Sequence, residues 1–444
     1  MAIMSDNPQG NASTGKEIKI DISMKSLGKW LPIIAIILII TLSMYIRLFG
    51  FYEHGWPYLR NIDSFYFMRE MGEVIDHNGI IPQHDDLRFA PNGVDRGDVP
   101  DLYTYIGAYS YMFFRIFMPN MELWQFLIWF PALLASLIAI PSYFIGKCLF
   151  DKKAGVLTAI FMVFAIPFVS RTLGGDPDSD AIVMLMLISS IAAYLVAYKN
   201  IDKTYVFAKK NIIYSAIAGF FIGLFALTWV GYWFSFVIIV GFIFFKILTD
   251  FLLTRKYDLA HLKGVWNNNK SLVFSFVIIM IVFYILTVPI LGPKYLTDPI
   301  SRVFGSFGEA SAIKGETEQF PNVFVSVAEL QSGGNIKDVA IRASSVDLAS
   351  QISGVPIALL ILMSPFLLTI MCFTYLFYAY VRRREHFDTL LFMLIWFIGF
   401  LVASAVAMRF NIFLTPVYAI CSAIFLSKLW DIFIHEKIYG AKKT

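Results

Sequence analysis

The sequence predicts an all-α polytopic membrane protein with about ten spanning helices, and three observations carry that prediction. Apolar residues fill 58% of the 444 positions and charged residues only 15%, more apolar surface than a soluble chain can bury. Apolar runs of roughly twenty residues recur, each long enough to cross the hydrocarbon. Basic residues collect in alternate loops, as the positive-inside rule requires of a multi-pass topology. The net charge of +4 gives no reason to expect a nucleic-acid partner.

Residues 1–29 form a polar cytoplasmic tail with Lys16, Lys19, Lys25 and Lys29. The run from Leu31 to Phe51 has no small-residue cleavage site and reads as a retained first helix. A first external loop at 53–122 holds Asp63, Asp85, Asp86, Asp95, Asp98 and Asp101. Within it, residues 102–118 are amphipathic and aromatic, which suits the interface better than a span. Further spans are expected near 123–147, 154–170, 181–198, 211–228, 231–249, 272–291, 355–381, 389–407 and 411–430. Residues 30–430 thus form the transmembrane domain, and 431–444 a second cytoplasmic tail. A Gly- and Ser-rich polar segment at 293–354 is expected to be a mobile external loop that closes over something bound. Cys148, Cys372 and Cys421 stand singly in or beside apolar runs and read as small buried hydrophobes.

The loops sort by charge. Lys147/Lys152/Lys153, Lys199/Lys203/Lys209/Lys210, Arg255/Lys256/Lys263 and Arg382/Arg383/Arg384 share a side with both termini, which makes that side cytoplasmic. The acidic clusters all face the other way, so the chemistry is expected at the extracytoplasmic face of the cell membrane. Two sequons, at Asn11 and Asn269, fall on the cytoplasmic side and are expected to stay unmodified.

Between two apolar runs lies Arg171-Thr-Leu-Gly-Gly-Asp176-Pro-Asp178-Ser-Asp180. Three alternating carboxylates repel one another unless a cation or proton neutralises them, and low dielectric at a helix mouth sharpens that cost. A divalent cation is the usual remedy, and hard oxygen donors favour Mn²⁺ or Mg²⁺. Asp178 and Asp180 can point the same way and share the ion; alternatively Asp180 caps the helix that starts at Ala181. Asp176, before Pro177, is assigned to turn chemistry. Alone, Asp63 in Asn61-Ile-Asp63-Ser-Phe-Tyr66 reads as a solvated aspartate or helix cap, and Glu329 in Ser326-Val-Ala-Glu329 as a loop glutamate. Arg409 interrupts two apolar helices, where its guanidinium needs an anion, either a neighbouring carboxylate or a substrate phosphate. Arg171 poses the same choice.

These elements, in this order, resemble the membrane half of the catalytic subunit of oligosaccharyltransferase, archaeal in kind and a C-type glycosyltransferase. Asp63 matches the aspartate of that family's first external loop. Arg171, Asp178 and Asp180 match its Arg followed by an Asp-x-Asp pair. Ser326 to Glu329 match its [Ser/Thr]-[Val/Ile]-x-Glu motif, and Arg409-Phe410 with Pro416 its Arg-Phe helix. The resemblance implies about 10 to 12 transmembrane helices with large first and last external loops. It also implies an inverting, metal-dependent transfer of an oligosaccharide from a polyprenyl or dolichyl (pyro)phosphate to the Asn side chain of Asn-x-Ser/Thr. In that scheme Asp63 and Glu329 engage the acceptor amide, and Asp63, Asp178, Asp180 and Glu329 hold Mn²⁺ or Mg²⁺. Arg171 and Arg409 would bind the donor phosphate. The partners would be a lipid-linked oligosaccharide, an acceptor polypeptide and membrane lipid, with no nucleic acid.

The family reads the acceptor's Ser/Thr with a Trp-Trp-Asp motif in a soluble domain, of which Leu429-Trp430-Asp431 is only a partial echo. Three alternatives stay open: a split subunit with a separate soluble sequon-reading partner, a truncated chain, or a relative with another acceptor. The last would be a polyprenyl-phosphate-sugar-dependent transferase acting on a lipid or glycan. An ion-coupled transporter fits worse, because its acids are expected nearer mid-membrane than these loop clusters.

Overall fold

A backbone in hydrocarbon must satisfy its own polar groups, so each long apolar run becomes a helix of matching length. The computed structural model describes residues 24–53, 58–88, 90–97, 101–252, 259–301, 339 and 364–440. The chain starts with α1 (Met24–Glu53), followed outside the bundle by α2 (Ile62–Asp76) and a short hairpin, β1 (His84–Asp85) paired with β2 (Val94–Asp95). Then come α3 (Leu102–Phe117), α4 (Leu123–Leu137), α5 (Ala139–Leu149), α6 (Lys152–Val163), α7 (Ile166–Val169), α8 (Asp180–Asn200) and α9 (Lys209–Thr228). After a 3-10 turn at Val230–Tyr232 follow α10 (Trp233–Leu252) and α11 (Leu259–Leu291). The last described elements are α12 (Pro365–Arg383), α13 (Phe387–Val406), a 3-10 segment at Met408–Leu414 and α14 (Thr415–Gly440). Among the described residues, nine helical segments are long and apolar enough to cross a membrane.

α8 is apolar on every side because neighbours cover it on every side; α5, α9, α4 and α10 all pack against it. α9 meets α11 through two small residues one turn apart. A Cβ on Gly219 would lie 2.6 Å from the Ile279 carbonyl oxygen, and one on Gly223 2.8 Å from Leu286 Cδ1. That spacing lets two backbones approach where side chains would hold them apart. By contrast, Trp30, Ile37, Phe220, Phe244 and Ile281 are exposed, an apolar outer surface of the kind that lipid solvates.

Two of the sequence expectations change and two are refined. The run at 154–170 is not one span: α6 has 12 residues, about 18 Å of helix, and the chain then turns through α7. The span expected at 123–147 stands as one apolar segment, Leu123–Leu149, with one irregular residue, Ile138, between α4 and α5. α11 begins at Leu259, well before the expected start at 272. Cys372 and Cys421 are buried as expected, and α12 and α14 bring them within hydrogen-bonding reach of each other. Most of the 293–354 segment lies outside the described residues, as does the start of the span expected at 355–381.

The two ends of the bundle are chemically distinct. At one end, Lys153 pairs with Asp431, Lys246 with Asp388 at 2.9 Å, and Ser427 donates to Asp151. The other end carries α2, the hairpin, α3, the Arg171–Asp180 loop and the 3-10 segments at Val230–Tyr232, Pro293–Leu296 and Met408–Leu414.

An ion cluster holds α2 to the hairpin. Arg69 donates to both oxygens of Asp85, at 2.9 and 2.6 Å, and also meets Glu70 and Glu73. Arg96 reaches Glu70, Glu73 at 2.6 Å and Asp85 at 3.2 Å. The bidentate Arg69 fork holds the buried Asp85 carboxyl down at about 2. A depressed carboxyl pKa contributes stability above its unfolded value near 4, which is lost as pH falls through 2. Asp85→Asn is therefore expected to cost about 2 kcal/mol at pH 7. It should also flatten the loss of thermal stability between roughly pH 4 and pH 2. Melting curves of the two proteins across that range that run parallel would refute the assignment.

Candidate active site

The loop that ends in three aspartates is fixed before it reaches them. Gly174 N–H donates to the Arg47 carbonyl at 3.0 Å, Gly175 N–H to the Ile128 carbonyl at 2.8 Å, and Arg60 N–H to the Gly175 carbonyl at 2.9 Å. The loop therefore lies between the ends of α1 and α4. A Cβ on Gly174 would sit 2.8 Å from Leu48 Cδ2, and Gly175 has φ +79°, so the Gly-Gly pair answers both to space and to backbone geometry.

Arg47 supplies the side-chain half of the anchorage. It is 1% exposed, the most deeply buried arginine among the described residues. Its Nε–H donates to Thr172 Oγ1 at 2.9 Å, Nη1 to Ser43 Oγ at 2.6 Å and Nη2 to the Val163 carbonyl at 2.9 Å. The guanidinium also lies over the Phe168 ring, 5.1 Å from its centroid. Sequence reasoning passed over Arg47, although the signal was plain: a cation inside the apolar run from Leu31 to Phe51 needs partners.

The anchored loop then presents its acids. Asp176 accepts from Ser64 Oγ at 3.2 Å and from the Asn61 side chain. Its N–H also closes the turn onto the Leu173 carbonyl at 3.3 Å, so Asp176 keeps its turn role and in addition ties the loop to α2. Burial, with the charges of Asp180 and Asp63 behind it, pushes the Asp176 carboxyl up. Asp178 accepts from Ser179 N–H and Oγ. Burial is the first cause that raises its carboxyl to about 6, followed by the charges of Asp180, Asp176 and Asp63. Asp63 lies in the first turn of α2 and is exposed; the structure thus brings the first external loop and the second into one electrostatic neighbourhood. Buried Tyr103 on α3 supports this floor, donating to the Pro177 carbonyl at 2.8 Å. Burial and the charges of Asp178 and Asp176 push its phenol well up.

Asp180 is not the helix cap. Ser179 holds that position without a side-chain cap bond, and Asp180 is the first residue of α8, paired with Arg171 at 3.1 Å. A carboxylate there is favoured by the unpaired N–H groups of the helix start. Of the two arginines expected at phosphate, Arg171 thus has a carboxylate partner. Arg409 lies in the 3-10 segment at Met408–Leu414, partly buried, and no carboxylate among the described residues pairs with it. Phe410 and Phe413 of that segment pack on Phe234, with ring centroids 5.4 and 5.8 Å away, and Phe413 stacks on Trp229 at 5.5 Å. The segment is thereby fastened to the Val230–Tyr232 turn. Glu329 lies outside the described residues.

The donor set fits a hard divalent cation in kind: the charges of Asp63 and Asp180 add to the cost of ionising buried Asp176 and Asp178, and Arg171 pairs with one carboxylate of the four. Among the described residues, no three acids, histidines or cysteines converge closely enough to hold an ion unaided.

Fold and site together define a multi-pass membrane protein that gathers carboxylates at one mouth of its helix bundle. A family model, oligosaccharyl transferase STT3, N-terminal, matches residues 30–440. The chain belongs to that family, and its fold is the C-type glycosyltransferase fold. It is 22% identical over 453 aligned positions to a dolichyl-phosphooligosaccharide-protein glycotransferase of Methanocaldococcus jannaschii, covering 85% of this chain and 47% of that protein. The archaeal oligosaccharyltransferase AglB of Archaeoglobus fulgidus, in complex with an inhibitory peptide and a dolichol-phosphate, superposes with a TM-score of 0.63 at 17% identity. That match covers 94% of this chain and 52% of AglB. The A. fulgidus enzyme in complex with Zn and sulfate gives a TM-score of 0.64 at 19% identity, over 92% of this chain and 50% of the other. The chain spans about half the length of these relatives.

Proposed function

We propose that this chain transfers an oligosaccharide from a dolichyl or other polyprenyl (pyro)phosphate to the side-chain amide of asparagine in Asn-x-Ser/Thr, at the extracytoplasmic face. The observation that carries the reading is the meeting of Asp63 with the Asp176–Asp180 loop. Residues more than a hundred positions apart form one acidic mouth, next to a bundle whose relatives handle dolichol-linked sugars by name.

The chemistry follows from the acceptor. An amide nitrogen is a poor nucleophile because its lone pair is delocalised into the carbonyl. Carboxylates that accept both N–H bonds can turn the C–N bond and release that pair; Asp63 and Glu329 take this role. Asp63, Asp178 and Glu329, with Asp180 beside them, would hold Mn²⁺ or Mg²⁺. The ion, when bound, supplies charge stabilisation at the leaving phosphate. Arg409 gives the phosphate its guanidinium partner, and Arg171 orients Asp180 at the rim. Attack from the face opposite the leaving phosphate forms the N–C bond as the anomeric C–O bond breaks and inverts the anomeric carbon; the displaced amide proton passes to a carboxylate that held it, and no enzyme nucleophile is needed.

The test is transfer of labelled glycan from a lipid-linked donor to an Asn-x-Thr peptide, with Mn²⁺ or with EDTA. Transfer is expected with Mn²⁺, absent in EDTA, and lost in Asp63→Ala and Glu329→Ala. Turnover that survives both substitutions overturns the mechanism. Turnover only after a soluble sequon-reading domain is added supports the split arrangement. Sugar found on a lipid or glycan acceptor instead overturns the proposed acceptor.

A further inference from the structure

A cavity of about 480 Å³ lies beside the acidic mouth, between the first external loop and the ends of α9 and α11. Gln83, Arg96 and Asp101 line its polar side, and Leu227, Ile290 and Leu291 its apolar side. None of these residues has a role in the mechanism above. Arg96 is 7% exposed, and its terminal nitrogens are committed to Glu70, Glu73 and Asp85. Its Nε–H has no hydrogen-bond partner among the described residues. A buried donor left so is costly, and such a group marks a place where something polar is missing. Asp101 precedes α3 without capping it, and no hydrogen bond to its carboxylate occurs among the described residues. It sits near enough to Arg96 to feel its charge. One cavity thus offers a donor and an acceptor without partners among the described residues, opposite an apolar wall.

We propose that this cavity is a saccharide subsite that takes a neutral sugar of the donor glycan through a vicinal diol. One hydroxyl donates to the Asp101 carboxylate, and its neighbour accepts from Arg96 Nε–H. The apolar C–H face of the ring rests on Leu227 and Leu291. Charge selects against an acidic sugar, because Asp101 adds a carboxylate to a cluster in which Glu70, Glu73 and Asp85 already outnumber Arg69 and Arg96. Asp101 stands two residues before Tyr103, whose hydroxyl holds Pro177 beside Asp178. A glycan whose first sugar is at the acidic mouth therefore has this cavity within reach. The subsite rests on the transferase reading, and binding is measured apart from turnover so that the two can fail separately.

Saturation-transfer NMR on the full chain in detergent, with methyl glucoside and methyl glucuronoside as probes, reads binding without transfer. Signal is expected for the glucoside at millimolar concentration, not for the glucuronoside, and is expected to vanish in Asp101→Ala and weaken in Gln83→Ala. Gln83 is exposed, so its variant tests the site without burdening the fold. In transfer assays, Asp101→Asn is expected to raise the donor KM about tenfold for a long glycan, with kcat little changed. A donor carrying a single sugar should show no difference. Equal glucoside binding by parent and Asp101→Ala overturns the subsite, as does equal KM on the long donor. Binding that behaves as expected in a chain that transfers nothing, even with a soluble sequon-reading domain added, leaves the subsite standing and sinks the transferase reading.

Discussion

Asp178→Ala is expected to lower glycan transfer by at least about 10³-fold while leaving the bundle as stable as the parent, or more so. The site predicts both halves of that result. Asp178 is the member of the cluster that burial and three neighbouring carboxylates act on together, so its negative charge is unfavourable to the fold. Among the described residues its side chain accepts only from Ser179, and removing it strands no distant group there. A cluster of like charges held at a cost to stability is a device for binding a cation or for stabilising developing charge. Loss of one member should therefore appear in rate and metal dependence and not in the melting temperature. Initial rates at saturating Mn²⁺, with a thermal scan of the same preparation, decide the matter. A variant that turns over within about tenfold of the parent removes Asp178 from the site. A variant that fails because it melts early assigns Asp178 to structure instead.

How much of this was legible beforehand depends on the range of the forces involved. Apolar length is a local property, so α8, α9, α10 and α13 lie close to where hydropathy put them. The irregularity at Ile138 and the early end of α6 are invisible to hydropathy, because they depend on how neighbouring helices pack around a run that is apolar throughout. The acidic loop was legible as a cluster, since three alternating aspartates are conspicuous in any sequence. Its internal division was not. Asp176 is a tether as well as a turn residue because Ser64 and Asn61, more than a hundred residues away, fold back on it. Asp180 exchanged a cap for an ion pair because Ser179 occupies the cap. Spacing along a chain states which groups can meet, and only packing states which do. Tyr103 makes the same point: nothing in its neighbourhood in the sequence points to Pro177.

Arg47 is the case where the sequence held the signal and the structure supplies its meaning. A buried guanidinium costs free energy unless all its donors are met, and here the acceptors are two hydroxyls and a carbonyl, with no carboxylate among the described residues. Two of the three, Thr172 and Val163, flank the turn that leads into the acidic loop. Arg47 is thus a positioning residue: it pins the segment from 163 to 172, while its own carbonyl holds Gly174. Arg47→Ala is expected to lose about 2–4 kcal/mol, because it opens a cavity and orphans those acceptors. Arg47→Met should lose less, since it fills the space and removes the desolvated charge. Both should lose about 10²-fold in kcat, with the donor KM nearly unchanged, because the carboxylates drift while the donor's own contacts stay. Arg47→Lys keeps a charge, but a single ammonium on a flexible stem cannot reproduce the planar fork, and it should fall with Met in rate. The Met variant separates the two roles. If it retains both melting temperature and kcat, the Gly174 and Gly175 backbone bonds hold the loop by themselves. If it keeps the melting temperature and loses kcat, the buried arginine serves the chemistry it never touches.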